Sequence, residues 1–151
     1  MSSYFVDSSA LVKRYRREAG SEKVARLLDA ADLIAVSGLT RLEVSAALVR
    51  RGRNSGMSEQ SLAGVLLTLD DDVRKSLDVI HLNVSLVEEA TRLTRLYGLR
   101  AADAIQLACA RLVRDESREQ NLIFLGSDQE LNAAASKDGF AVVDPTSNDI
   151  R

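Results

Sequence analysis

Tyr4-Phe5-Val6-Asp7-Ser8-Ser9-Ala10-Leu11-Val12 is the stretch whose reading decides the fold. A short apolar run ends in a carboxylate, and a helical run follows at once. The same phrase recurs along the chain. Leu33-Ile34-Ala35-Val36 leads into a helix carrying Glu43, and Leu122-Ile123-Phe124-Leu125-Gly126-Ser127 ends at Asp128. Short runs apolar on both faces, each followed by a helical crossover, specify a parallel sheet covered on both sides. The expected fold class is α/β: a three-layer α/β/α sandwich with a mainly parallel central sheet.

Working outward, strands are expected at 4–6, 33–36, 78–82, 122–125 and 140–143. Helices are expected at 9–17, 21–31, 37–52, 58–74, 85–98, 103–115 and 127–139. Ser21, Ser37 and Ser58 read as N-caps. Ser85 with Glu88, and Ser127 with Glu130, read as capping boxes. The stripe Leu39, Leu42, Ala46, Val49 has helical spacing. With the Gly52–Gly56 turn, that helix and the next form a protruding antiparallel hairpin. No boundary or repeat divides the chain. Residues 1–145 are expected to form one domain and 146–151 a tail.

The 151 residues suffice for one real core, and 46% of them are hydrophobic. No apolar run approaches the roughly 18 residues of a membrane span, and the N-terminus does not read as a secretory signal. The single Cys109 excludes an internal disulfide and fits a reducing cytoplasm. Cys109 belongs to the stripe Ala102, Ile105, Cys109, Leu112 and reads as core. The one histidine, His81, reads as structural, so no Ser–His or Cys–His pair is available for nucleophilic catalysis.

Charge is distributed unevenly. Residues 1–60 hold ten Lys/Arg and seven Asp/Glu, and residues 61–151 hold ten and fifteen, giving +3 and −5. Sixteen of the twenty basic residues are Arg, which suits bidentate phosphate contact. Arg14, Arg16, Arg17, Arg50, Arg51 and Arg53 form two clusters, each of which is a solvated helix face or a phosphate contact. Arg41 and Arg100 shortly precede two acids, and each is a phosphate contact, a surface residue or a salt-bridge partner.

Asp7, Glu43, Asp103 and Asp128 are the candidate site. Carboxylates just past buried parallel strands converge on the edge where open α/β sheets bind ligands. Taken singly, Asp7, Asp103 and Asp128 read as helix caps or dipole partners, and Glu43 as a salt-bridge partner. Taken together they read as one pocket. Two unit charges about 4 Å apart repel by roughly 4 kcal/mol at an effective dielectric near 20. A divalent cation relieves this, and oxygen ligands suit magnesium or manganese.

Four segments carry a family resemblance: Phe5-Val6-Asp7-Ser8-Ser9-Ala10; Thr40-Arg41-Leu42-Glu43; Leu99-Arg100-Ala101-Ala102-Asp103-Ala104-Ile105-Gln106-Leu107-Ala108; and Phe124-Leu125-Gly126-Ser127-Asp128-Gln129-Glu130-Leu131. In this order they resemble the PIN-domain ribonucleases of the VapC toxin type. One departure is Gly126, where the family's usual residue is larger. The resemblance implies a metal-dependent endoribonuclease in which Asp7, Glu43, Asp103 and Asp128 hold Mg2+ or Mn2+. Ser8 and Ser127 would orient a water or a carboxylate, or cap their helices. It also implies an RNA substrate, a VapB-type antitoxin partner, a homodimer and a cytoplasmic location. The stripe Leu62, Val65, Leu66, Leu69 is core, partner surface, or both.

Three alternatives differ in class or role. A housekeeping nuclease would share the site. A binding subunit without chemistry would gain nothing from acids facing phosphates. A phosphoacceptor receiver would want a second acid before or beside the first strand and a late Lys near the pocket, and a dehalogenase-type phosphatase a second Asp two residues after Asp7, where the chain has Ser9.

Overall fold

In the computed structural model, which describes residues 2–116 and 121–147, each strand but the last is followed by one or two helices. The elements are β1 (Ser3–Val6), α1 (Ser8–Tyr15), α2 (Ser21–Asp29), β2 (Leu33–Ser37), α3 (Thr40–Asn54), α4 (Glu59–Lys75), β3 (Asp78–Ile80), α5 (Val84–Tyr97), α6 (Ala101–Glu116), β4 (Ile123–Leu125), α7 (Gln129–Lys137) and β5 (Ala141–Val143). The sheet order is β3-β2-β1-β4-β5, and all four pairings are parallel.

Alternation along each strand builds the two outer layers. Tyr4, Val6, Val36 and Leu125 face a core made with α1 to α4. Phe5, Ala35 and Phe124 face the other core, made with α5, α6 and α7. Phe5 stacks on Phe124 at 5.8 Å between ring centroids, and Phe124 meets Phe140 at 6.0 Å. Each fully buried side chain of this size contributes roughly 1.5–3 kcal/mol. In helix α6, Ala104, Leu107, Ala108, Cys109 and Ala110 are all buried, whereas of the expected stripe only Cys109 is, and Ala102, Ile105 and Leu112 are half-buried at its flank. Burial pushes the Cys109 thiol up to about 12, consistent with its reading as core.

Several local expectations need correction. Gly20, not Ser21, caps α2, in the left-handed region at φ 90°. The Ser21 hydroxyl instead closes the preceding loop, accepting from Glu18 N and donating to Arg16 O. Asn83, not Ser85, caps α5, its side chain accepting from Leu86 N at 2.9 Å. Asp128, not Ser127, caps α7. Ser37 accepts from Leu39 N, but the helix itself begins at Thr40 with Leu39 at the cap. The α3 stripe is displaced accordingly: Thr40, Val44, Leu48 and Gly52 point inward, and Leu42 is 66% exposed. The phase is set by Thr40, whose hydroxyl is held in a buried polar network, and by Gly52, where a Cβ would lie 3.2 Å from a Leu62 methyl of α4. In α4, Leu69 is fully buried and Leu62, Val65 and Leu66 pack on the core, while Leu67 is exposed. His81 is exposed, just past β3, and holds no core position. Of the expected tail, residues 148–151 lie outside the described residues.

Candidate active site

The chain leaves central strand β1 for β2 on one side, and β4 lies on its other side. This reversal opens a crevice at the carboxyl edge. Asp7 stands there. Its backbone N–H donates to Leu125 O at 2.9 Å, continuing the β1–β4 ladder one residue beyond the strand. Beside it, Gly126 N donates to Val143 O. A Cβ on Gly126 would lie 3.5 Å from the Asp7 Cβ, 3.0 Å from a Phe124 ring carbon and 2.6 Å from Asn132 Oδ1. The glycine thus leaves room for Asn132, whose Nδ2 donates to Gly126 O at 2.8 Å.

Asp7 is only 4% exposed and caps α1. Its Oδ2 accepts from the Ser9 hydroxyl at 2.5 Å and from Ser9 N at 3.3 Å. The Ser9 hydroxyl in turn accepts from Ser127 N at 2.9 Å, tying the ends of β1 and β4 together. Burial pushes the Asp7 carboxyl from its ordinary 3.8 up to about 6. The Ser9 hydrogen bonds oppose the shift, and the Asp103 and Glu43 charges add to it. Asp103, in the first turn of α6, is also pushed up to about 6, by burial and then by Asp128, Glu43 and Glu130, against the pull of Arg100.

Glu43 has the helical position expected of it but not the expected salt bridge. Its Oε1 accepts from the Ser8 hydroxyl at 2.9 Å and from Gln106 Nε2 at 2.8 Å. Asp128 fulfils its capping role, accepting from Leu131 N at 2.9 Å, while remaining close enough to raise Asp103. Among the described residues none of the four acids forms an ion pair with Lys, Arg or His. Nor do three or more His, Cys, Asp or Glu side chains stand ready as a metal cluster among those residues. Uncompensated carboxylates repel and hold apart. The four are nonetheless linked through Asp103, and all supply hard oxygen donors, which fits magnesium or manganese rather than a soft metal.

The serines divide. Ser8 orients a carboxylate, through Glu43. Ser127 Oγ is buried with no hydrogen-bond partner among the described residues. Half of the eight candidate arginines are engaged elsewhere. Arg14 pairs with Asp29 and Asp72, Arg17 with Glu22, Arg41 with Asp70, and Arg51 with Glu18. Tyr15 also donates to Asp72, and burial, then that hydrogen bond and the Asp72 charge, hold the phenol above its ordinary range. Arg50, Arg53 and Arg100 are exposed, Arg16 is half-buried, and of these Arg100 acts on Asp103. Sequence reasoning missed Ser9, Thr40, Gln106 and Glu130. Ser9 lies two residues after Asp7, Thr40 three before Glu43 and Gln106 one helical turn after Asp103, but nothing in the spacing told them from core or capping residues.

The family model described as PIN domain matches residues 4–137. Ribonuclease VapC45 of Mycobacterium tuberculosis is 33% identical over 138 residues, covering 91% of this chain and 92% of that protein. Among solved structures, Mycobacterium tuberculosis VapC20, a sarcin-ricin loop cleaving toxin, superposes with a TM-score of 0.65. It has 20% identity and covers 92% of this chain and 97% of that one. A toxin–antitoxin complex from Klebsiella pneumoniae gives 0.62 at 22% identity, covering 95% of this chain and 98% of that one.

Proposed function

The chain belongs to the PIN-domain family, and from that premise we propose that it is a divalent-cation-dependent endoribonuclease acting as the toxin of a toxin–antitoxin pair. The observation that carries the reading is the electrostatic state of the carboxyl edge. Two carboxyls, Asp7 and Asp103, are both pushed up to about 6 by burial and by neighbouring acids, with no cationic side chain paired to either among the described residues. Such a site is destabilised until a cation joins it.

Asp7, Glu43, Asp103 and Asp128 would hold Mg2+ or Mn2+. When bound, the cation would lower the pKa of a coordinated water and polarise the scissile phosphoryl group. The protein's own part is positional. Ser9 orients the Asp7 carboxylate, Ser8 and Gln106 orient that of Glu43, and Arg100 lies near Asp103 to meet a flanking phosphate. Arg16, Arg50 and Arg53 are further phosphate contacts in this reading, whereas Arg14, Arg17, Arg41 and Arg51 would first have to leave their acidic partners. The partners are an RNA substrate, a VapB-type antitoxin and a second copy of the chain, and the compartment is the cytoplasm.

Cleavage of total RNA with magnesium, with chelator and by Asp103→Asn tests the reading. Activity is expected only with the cation and the intact acid, with RNA binding retained in Asp103→Asn. Wild-type cleavage by that variant would sink the nuclease site. Growth arrest on expression, relieved by Asp7→Asn, separates a toxin from a housekeeping nuclease.

A further inference from the structure

Beneath Glu43 lies a buried amide. Gln106, on α6 one turn after Asp103, is 1% exposed. Leaving such a group unpartnered costs roughly 1–3 kcal/mol, and an apolar residue would avoid the cost. Its Nε2 meets three acceptors: Glu43 Oε1 at 2.8 Å, Ser8 Oγ at 3.0 Å and Thr40 Oγ1 at 3.2 Å. Two hydrogens serve three acceptors, and the shortest contact goes to the carboxylate. The amide orientation follows, because the reversed amide would set its oxygen against Glu43. Thr40 Oγ1 is itself anchored to Ser37 Oγ at 3.1 Å. Ser8 spends its one proton on Glu43 Oε1 and accepts from Gln106.

We propose that Gln106 is a positioning residue that fixes the Glu43 carboxylate, through Oε1 and together with Ser8, for the divalent cation. The inference rests on the metal-nuclease reading above. Glu43 has a long side chain and interacts with Asp7 and Asp103, which carry its own sign of charge. Unrestrained, it would swing away from them. Neutral donors hold it without cancelling its charge, which an arginine in the same place would do. The two donors also come from the right elements. Ser8 follows Asp7 on the chain, and Gln106 shares α6 with Asp103. Glu43 is thereby tied to the two segments that carry the other acids.

The test measures Mn2+ binding to the full chain by the paramagnetic resonance signal of free Mn2+, beside RNA cleavage over a Mn2+ titration. Gln106→Met keeps length and removes the donors. Its Mn2+ affinity should fall about 10-fold or more, the scale for residues that orient metal ligands. Cleavage should recover toward wild type at saturating Mn2+. In a Glu43→Ala background the same substitution should change affinity by less than about two-fold, since nothing is left to position. An unchanged affinity in Gln106→Met, or a full further loss in Glu43→Ala, overturns the proposal. Should Gln106→Met melt without a cooperative transition, Gln106→Asn replaces it with the same expectations: its amide remains buried but is one methylene short of Glu43. If the wild-type chain binds no Mn2+, or cleaves RNA in chelator, the nuclease reading itself fails and takes this inference with it.

Discussion

At the scale of the residue, Asp7 joins stability to function. Its folded pKa, about 6, stands above its ordinary 3.8, so the folded state binds the proton more tightly than the unfolded chain does. Stability from this group is complete below about pH 4 and is lost as pH rises toward 6, amounting to roughly 3 kcal/mol. Asp7→Asn should therefore raise the metal-free melting temperature at pH 7.5, and the gain should vanish near pH 4. Melting curves at the two pH values check this. A variant that melts below wild type at both would mean that the Ser9 hydrogen bonds outweigh the charge. Asp103 contributes in the same direction, but it is only half-buried and solvent screens it. The same Asp7→Asn change should abolish cleavage.

At the scale of the element, the turn from β4 into α7 is built around the absence of one side chain. Asn132 occupies the space beside Gly126, its Oδ1 buried without a partner among the described residues. Gly126→Ala should push Asn132 aside and cost on the order of 1–3 kcal/mol, the usual range for overpacking. Gly126→Ala with Asn132→Ala should cost less than the two single changes summed, because one relieves the other. Denaturant titration of the four proteins measures the coupling, and strict additivity would refute it. In the core beneath α7, Phe124→Ala should cost about 3–5 kcal/mol, since its ring touches both Phe5 and Phe140.

At the scale of the whole molecule, a cation that binds only the folded chain must stabilise it. Magnesium at about 100 times its dissociation constant should add about 2.7 kcal/mol, and the shift should disappear in Asp103→Asn. A wild-type melting point unmoved by magnesium would detach the acids from metal binding. The self-association proposed above has a different basis. The expected α4 stripe is largely core, but Leu42, Leu67, Val84 and Leu96 stand exposed on three helices. Sedimentation at micromolar concentration should show a dimer without the antitoxin, and a monomer would count against it. Among the described residues no helix is long and apolar enough to cross a membrane.

Periodicity in the sequence determined the order of strands and helices, because central strands buried on both faces leave apolar runs too short for a helix, set between segments of helical spacing. It also put Asp7 and Asp128 at one edge, since parallel strands all end on the same side, whereas Asp103, which follows α5 and no strand, is brought beside them only by the packing of α6. Family likeness in four ordered segments determined the class of protein. Cap identities were less legible: Asn83 and Asp128 compete with neighbouring serines that have the same chemistry, and only the entry angle of each helix decides between them. The facing of α3 was decided by tertiary structure alone. Thr40 is polar and by pattern belongs outside, yet its hydroxyl finds Ser37 and Gln106 in the interior and turns Leu42 outward. The partners of Glu43 were decided in the same way. Ser8 and Gln106 lie 35 and 63 residues from it along the chain, and only packing α1, α3 and α6 around one sheet edge brings their donors to a single carboxylate oxygen.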